Sequence, residues 1–279
     1  ISAMTHRTIK QTILARPTSD GAGVRLKRSI GTDMLSELDP FLLLDNFGTE
    51  NPEDYIAGFP DHPHRGFETV TYMIQGRMRH KDSSGAEGLL RPGGVQWMTA
   101  GRGIIHSEMP EQTNGEMSGF QLWVNLPAAE KMCMPCYQDF EPDDVPLVKP
   151  TDGVEVRVIA GEVDGVLGPV NGIAIEPTYL DVSLSPGETF SANLPLGHTA
   201  FAYVFQGQAM ISNDNVGLDH LAVLSDGEQV WMSSVDGGRL ILVAGRPLGE
   251  PIARYGPFVM NTTHEVRQAI QDYQQGNFV

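Results

Sequence analysis

The chain has 279 residues, enough at ~150 residues per domain for two ordinary domains or one large one, and a chain this long needs neither disulfides nor a structural metal to fold. Thirty-five acidic residues against 19 basic ones leave a net charge of −16, which repels phosphate backbones and excludes direct, non-specific nucleic-acid binding. With 41% hydrophobic residues, 31 glycines and 19 prolines, the composition is that of a globular protein of many turns and few long helices.

Ile1, Ser2 and Ala3, ahead of Met4, read as an added leader and stay outside the fold. Ile1 to Lys10 has no apolar signal core, and no stretch approaches the ~20 apolar residues of a membrane span. The expectation is a cytoplasmic protein that engages no membrane. Short strands rich in Tyr, Val, Ile, Thr and Trp then follow one another between Gly and Pro-Gly turns, the pattern of an antiparallel sandwich or barrel.

The first chemically loaded segment is His62-Pro63-His64, and the second is His106-Ser107-Glu108. On a strand, residues i and i+2 share a face, so each pair aims two donors to one side of a sheet. Three imidazoles and one carboxylate make a ligand set for a first-row transition metal, with positions left open for water, substrate or dioxygen. The bland alternative is a barrel rim of solvated polar groups. Glu68 has the parity of His62 and His64, so an unbroken strand aims it at the same interior. There it is a fifth ligand, a general base or, by expectation, a group that orients an imidazole through its other ring nitrogen. Arg65 and Met73 have the opposite parity and are expected to point outward or pack between sheets. His80, between Arg79 and Lys81, reads as a solvated face. Gly101-Arg102-Gly103 reads as a turn, not a phosphate loop. Cys133 and Cys136 read as reduced thiols in a loop, with Met132 and Met134 packed beside them.

Asp139 to Gly153 is rich in Pro and acid, the composition of a connecting segment. The expected division is an N-terminal metal-binding domain over 4–138, a linker over 139–153, and a C-terminal domain over 154–279. The halves look duplicated. Thr71-Tyr72-Met73-Ile74-Gln75-Gly76 recurs as Ala202-Tyr203-Val204-Phe205-Gln206-Gly207, and Pro92 to Thr99, with Trp97, is echoed by Asp226 to Ser233, with Trp231. Aligning these matches sets Asn193 and Pro195 against His62 and His64, and Leu240 and Leu242 against His106 and Glu108, so the second half is expected to lack ligands. One helix is predicted, at the C-terminus, where Val266, Ala269, Ile270 and Tyr273 form an apolar stripe to dock against a sheet. Thr262 and Glu265 make its capping box, and Gly276 its stop.

Asp61-His62-Pro63-His64-Arg65-Gly66-Phe67-Glu68-Thr69-Val70-Thr71-Tyr72 and Met98 to Glu108 together resemble the pirin family. The likeness extends to Asp39-Pro40-Phe41-Leu42-Leu43-Leu44-Asp45, to Gln121 to Pro127, and to Gly256 to Thr262. It implies an all-β fold of two tandem cupin barrels (jelly rolls, or double-stranded β-helices) with a short C-terminal helix. It also implies a single divalent metal, usually Fe(II), held in the first barrel by His62, His64, His106 and Glu108. By ligand type alone Mn, Ni, Cu or Zn also accept such a set, and cellular supply decides among them. Two functions follow from the resemblance. One is a quercetin 2,3-dioxygenase-like oxidoreductase acting on a flavonol and dioxygen, with Glu108 or Glu68 taking the proton. The other is a metal- or redox-dependent regulator that acts through a protein partner.

Overall fold

The computed structural model describes residues 3–279; Ile1 and Ser2, two of the residues read above as an added leader, lie outside the described residues. The chain forms two compact units, each an antiparallel jelly roll of one seven-stranded and one four-stranded sheet. Among the described residues, no helix is long and apolar enough to cross a membrane.

The first barrel comprises Pro17–Pro142 and Leu248–Val279. In its larger sheet, strand Phe67–Gln75 is flanked by Val95–Thr99 and Met117–Asn125. Its smaller sheet runs in the order Phe59–His64, Ile104–Pro110, Met78–Asp82, Glu87–Leu90. The second barrel comprises the stretch up to Arg16 and Asp143–Pro247. Its larger sheet centres on Thr199–Gly207, Gly238–Gly245 and Thr178–Leu184, and its smaller one runs Thr189–Asn193, Gln229–Ser233, Ala209–Ile211, Asp214–Val216.

This division departs from the expected one at 139–153. Within that supposed linker, Leu147–Thr151 is a strand that pairs with Val154–Ala160. Ile9–Leu14, placed by sequence in the first half, pairs with His220–Leu224 and closes an edge of the second barrel's sheet. Leu248–Val279, with the terminal helix, belongs to the first barrel. The physical reason is that sheet edges and apolar stripes seek partners in space, and an acidic, Pro-rich composition does not prevent a short segment from pairing.

The helix itself, Thr263–Gln274, forms where its stripe and capping box place it. Thr262 Oγ1 accepts from the Glu265 backbone N–H at 3.2 Å, and Gly276 adopts φ +75° just past the end. Ala269 packs with Phe258 and Phe278 into a cluster that also touches Ile105. Because alternate strand residues face opposite ways, a helix bound over Ile105 leaves His106 facing inward.

The duplication is real, with one of its two matches displaced. Phe67–Gln75 and Thr199–Gly207 hold equivalent sheet positions, as their Gln-Gly turns indicate. The neighbour equivalent to Val95–Thr99, however, is His220–Leu224, whereas Gln229–Ser233 lies in the smaller sheet as the counterpart of Ile104–Pro110. Trp97 is buried and Trp231 is exposed. Their similarity in sequence is therefore coincidental.

The sheet orders and registers then set Val230 and Met232, not Leu240 and Leu242, in the places of His106 and Glu108. Ala192 replaces His62, because each is the ladder partner of those residues. All three lie in the second barrel's continuous apolar core, with Phe190, Leu194 and Ile211. The second barrel is filled by hydrocarbon; the first gives the equivalent space to polar groups.

Candidate metal centre and its cavity

His62 and His106 are direct ladder partners, and His64 faces Ile104 two positions along. Their ring centroids form a triangle of 4.4 Å (His62 to His106), 4.8 Å (His62 to His64) and 5.0 Å (His64 to His106). Their ligand atoms all lie within 4.8 Å of one another. A register shift after His106 sets Glu108 opposite Phe59, with Oε1 3.4 Å from His106 Nε2. The three imidazoles thus converge, with Glu108 beside His106.

Burial makes this convergence costly unless something binds there. His106 is fully buried with neither ring nitrogen hydrogen-bonded, and His64 Nδ1 is likewise buried without a partner. Such groups forfeit hydration without compensation. Desolvation, with the neighbouring imidazoles, holds the pKa values of His64 and His106 well below the ordinary range, so both are neutral, the ligating form. Burial alone pushes Glu108 up to about 7. His62 Nδ1 is 2.7 Å from the Pro60 carbonyl, which assigns its proton to that nitrogen and leaves Nε2 as the lone pair. Three neutral imidazoles with bare nitrogens beside a buried carboxyl fit a divalent metal ion.

Glu68 is not part of this group. The strand breaks at Gly66, whose φ of +91° and whose approach to Val259 O (a Cβ would stand 2.0 Å away) admit only glycine. Lys131 Nζ secures the break by donating to the carbonyls of Gly66 and Val259 and to Asn125 Oδ1. Beyond it Phe67, not Glu68, packs on His64, with centroids 5.1 Å apart. Glu68 therefore occupies the opposite face, where it accepts hydrogen bonds from Trp97 Nε1 and Thr99 Oγ1. The parity argument failed because parity is not carried across a break in the strand.

His80 also departs from its reading as a solvated face. It is buried, lies directly opposite Glu108, and its ring centroid is 5.2 Å from that of His106. Its Nε2 is 3.0 Å from the Tyr137 hydroxyl, which donates to Asp82. The charged neighbours Arg79 and Lys81 concealed this, although alternation with buried Met78 was a usable signal. Arg65 packs between layers as expected, paired with Asp272 at 2.8 Å and stacked on Phe278. Met73 is likewise buried, and Gly101-Arg102-Gly103 is a turn. Cys133 and Cys136 are free thiols. Met132 and Met134, expected to pack, are exposed.

A cavity of about 610 Å³ opens beside the centre, with His62, His64, Phe59, Trp123, Arg28 and Arg254 in its walls. That volume lies within the range of small-molecule sites. Trp123 forms the link: its ring meets His64 at 5.4 Å and Phe67 at 4.5 Å. Sequence reading singled out neither Trp123 nor Arg254 as a site residue.

Two cupin barrels with one histidine-lined centre define the class as a bicupin with a divalent-metal type of site. Comparison with known proteins narrows this. The pirin family model matches residues 23–124, and the model for the pirin C-terminal cupin domain matches 179–279. A Pseudomonas aeruginosa protein provisionally named quercetin 2,3-dioxygenase is 50% identical, covering 97% of this chain and 98% of its own length. Human pirin is 45% identical, with 96% and 92% covered. The crystal structure of a quercetin 2,3-dioxygenase from Acinetobacter baumannii superposes with a TM-score of 0.92 at 34% identity, covering 98% of this chain and 99% of that one. The chain belongs to the pirin family.

Proposed function

We propose that this protein is a metal-dependent dioxygenase that opens the ring of a flavonol-like substrate, with His62, His64, His106 and Glu108 as ligands. The observation that carries the proposal is the set of buried, unpartnered imidazole nitrogens beside a substrate-sized cavity. Its relationship to proteins named quercetin 2,3-dioxygenase supports the substrate class. A divalent ion bound there, Fe(II) by preference, supplies Lewis acidity that favours ionisation of a flavonol hydroxyl. The chain's own residues do the rest. His62 and His64 present their rings at the cavity wall, and Phe59 and Trp123 offer apolar surface to the flavonol rings; Glu108, buried beside His106, would take the hydroxyl proton. Loss of quercetin absorbance, with oxygen consumed and carbon monoxide released in proportion to metal content, tests this. Fully loaded protein that leaves quercetin intact overturns it.

We propose as a second reading, carried by the family resemblance alone, a regulator whose metal state is read by a protein partner. Recovery of one partner from metal-loaded but not metal-free protein supports that reading, and equal recovery from both refutes it.

A further inference from the structure

Two arginines line the cavity, and their circumstances differ. Arg28 is paired with carboxylates: it donates from Nε and Nη2 to the two carboxylate oxygens of Asp45 at 2.7 and 2.8 Å, and from Nη2 to Asp20 at 2.8 Å. Arg254, in the short strand Ala253–Tyr255, forms no ion pair among the described residues. Its one hydrogen bond runs from Nη1 to the Leu42 carbonyl at 2.8 Å, which leaves most of its donor fork unused. The guanidinium lies over the Trp123 ring, 5.1 Å from its centroid, and the same indole meets His64. Burial and the nearby Arg28 disfavour its charge, and Glu37 and Asp45 offset them in part. A half-buried guanidinium that lines a cavity with no carboxylate in ion-pair contact keeps donors available to a ligand.

We propose that Arg254 binds an acidic oxygen of the cavity's ligand, so that the site selects a flat aromatic molecule with one hydroxyl directed at the histidine cluster and a second acidic oxygen, phenolate or carboxylate, directed at Arg254. This rests on the reading of the cavity as a flavonol site. Arg254 is a specificity-determining residue in this scheme. Trp123 holds its guanidinium plane, and Arg28 is the poorer anion site because Asp45 and Asp20 already balance its charge.

The test is a set of fluorescence-quenching titrations of the full chain, metal-free and metal-loaded, with three probes: quercetin, 3-hydroxyflavone, which has no second acidic oxygen, and 3-hydroxyflavone-4′-carboxylate. Arg254→Met is expected to weaken quercetin or the carboxylate about tenfold and leave 3-hydroxyflavone unchanged, with Arg254→Lys intermediate. Whichever acidic probe shows the larger loss names the oxygen recognised. Equal losses for all three probes, no loss for any, or no binding of the acidic probes to the unmodified protein overturns the proposal. If Arg254→Met does not fold, Arg254→Lys carries the same comparison. Turnover separates the two readings. Quercetin bound in an Arg254-dependent way but not consumed removes the dioxygenase and keeps this inference; quercetin consumed with a KM that Arg254→Met leaves unchanged does the reverse.

Discussion

Glu108 lies directly opposite His80 across the ladder between strands Ile104–Pro110 and Met78–Asp82. The same position in the second barrel pairs Met232 with Ile211. One scaffold thus carries both a polar and an apolar solution at a single point, and the apolar solution shows what the polar one costs. A barrel that only had to be stable would be filled as the second is.

The double variant His106→Val/Glu108→Met copies the second barrel into the first. Metal-free, it is expected to be at least as stable as the unmodified chain, because two unpartnered ring nitrogens and a buried carboxyl disappear. The unmodified chain should gain about 2.7 kcal/mol from an ion at a hundred times its Kd, a rise of several degrees in Tm, and the variant none. Calorimetry with and without Ni(II) or Fe(II), paired with elemental analysis, checks both points.

Glu68 should leave a signature in stability and not in metal content. Burial raises its pKa from the ordinary glutamate value to about 7. The folded state therefore binds the extra proton between about pH 4.5 and 7, and the stability this confers, on the order of 3 kcal/mol, is complete below that window and lost as pH rises through 7. Glu68→Gln removes that loss. Urea denaturation should show the variant gaining on the unmodified chain as pH increases across the window, with bound metal unchanged. A parallel pH dependence in the two proteins refutes the assignment.

Tyr137→Phe strips His80 Nε2 of its partner and Asp82 of a donor. A destabilisation of about 1 kcal/mol is expected in denaturant titrations. Since Tyr137 touches no proposed ligand directly, metal stoichiometry should be retained.

Arg65→Met breaks the bond to Asp272 and the stacking on Phe278 that tie the terminal helix to the barrel. The cost should be about 1–2 kcal/mol, the scale of a charged hydrogen bond lost while the remaining Asp272 carboxylate stays partly exposed. Hydrogen exchange should locate the added opening in the helix and in the Phe258–Met260 strand.

The sequence by itself determined the local features. The two donor pairs, the capped helix, the Gly-Arg-Gly turn and the Gln-Gly duplication depend on alternation, capping and turn chemistry, which operate over a few residues. Only the tertiary structure decided which of these meet. It placed Glu68 behind the sheet, because a glycine break resets the alternation of faces. It brought His80 inside, because its ladder partner is Glu108. It carried Arg254 from the end of the chain to the cavity of the first barrel, because an unpaired sheet edge and an apolar helix stripe are satisfied wherever a complementary surface lies, whatever the separation along the chain.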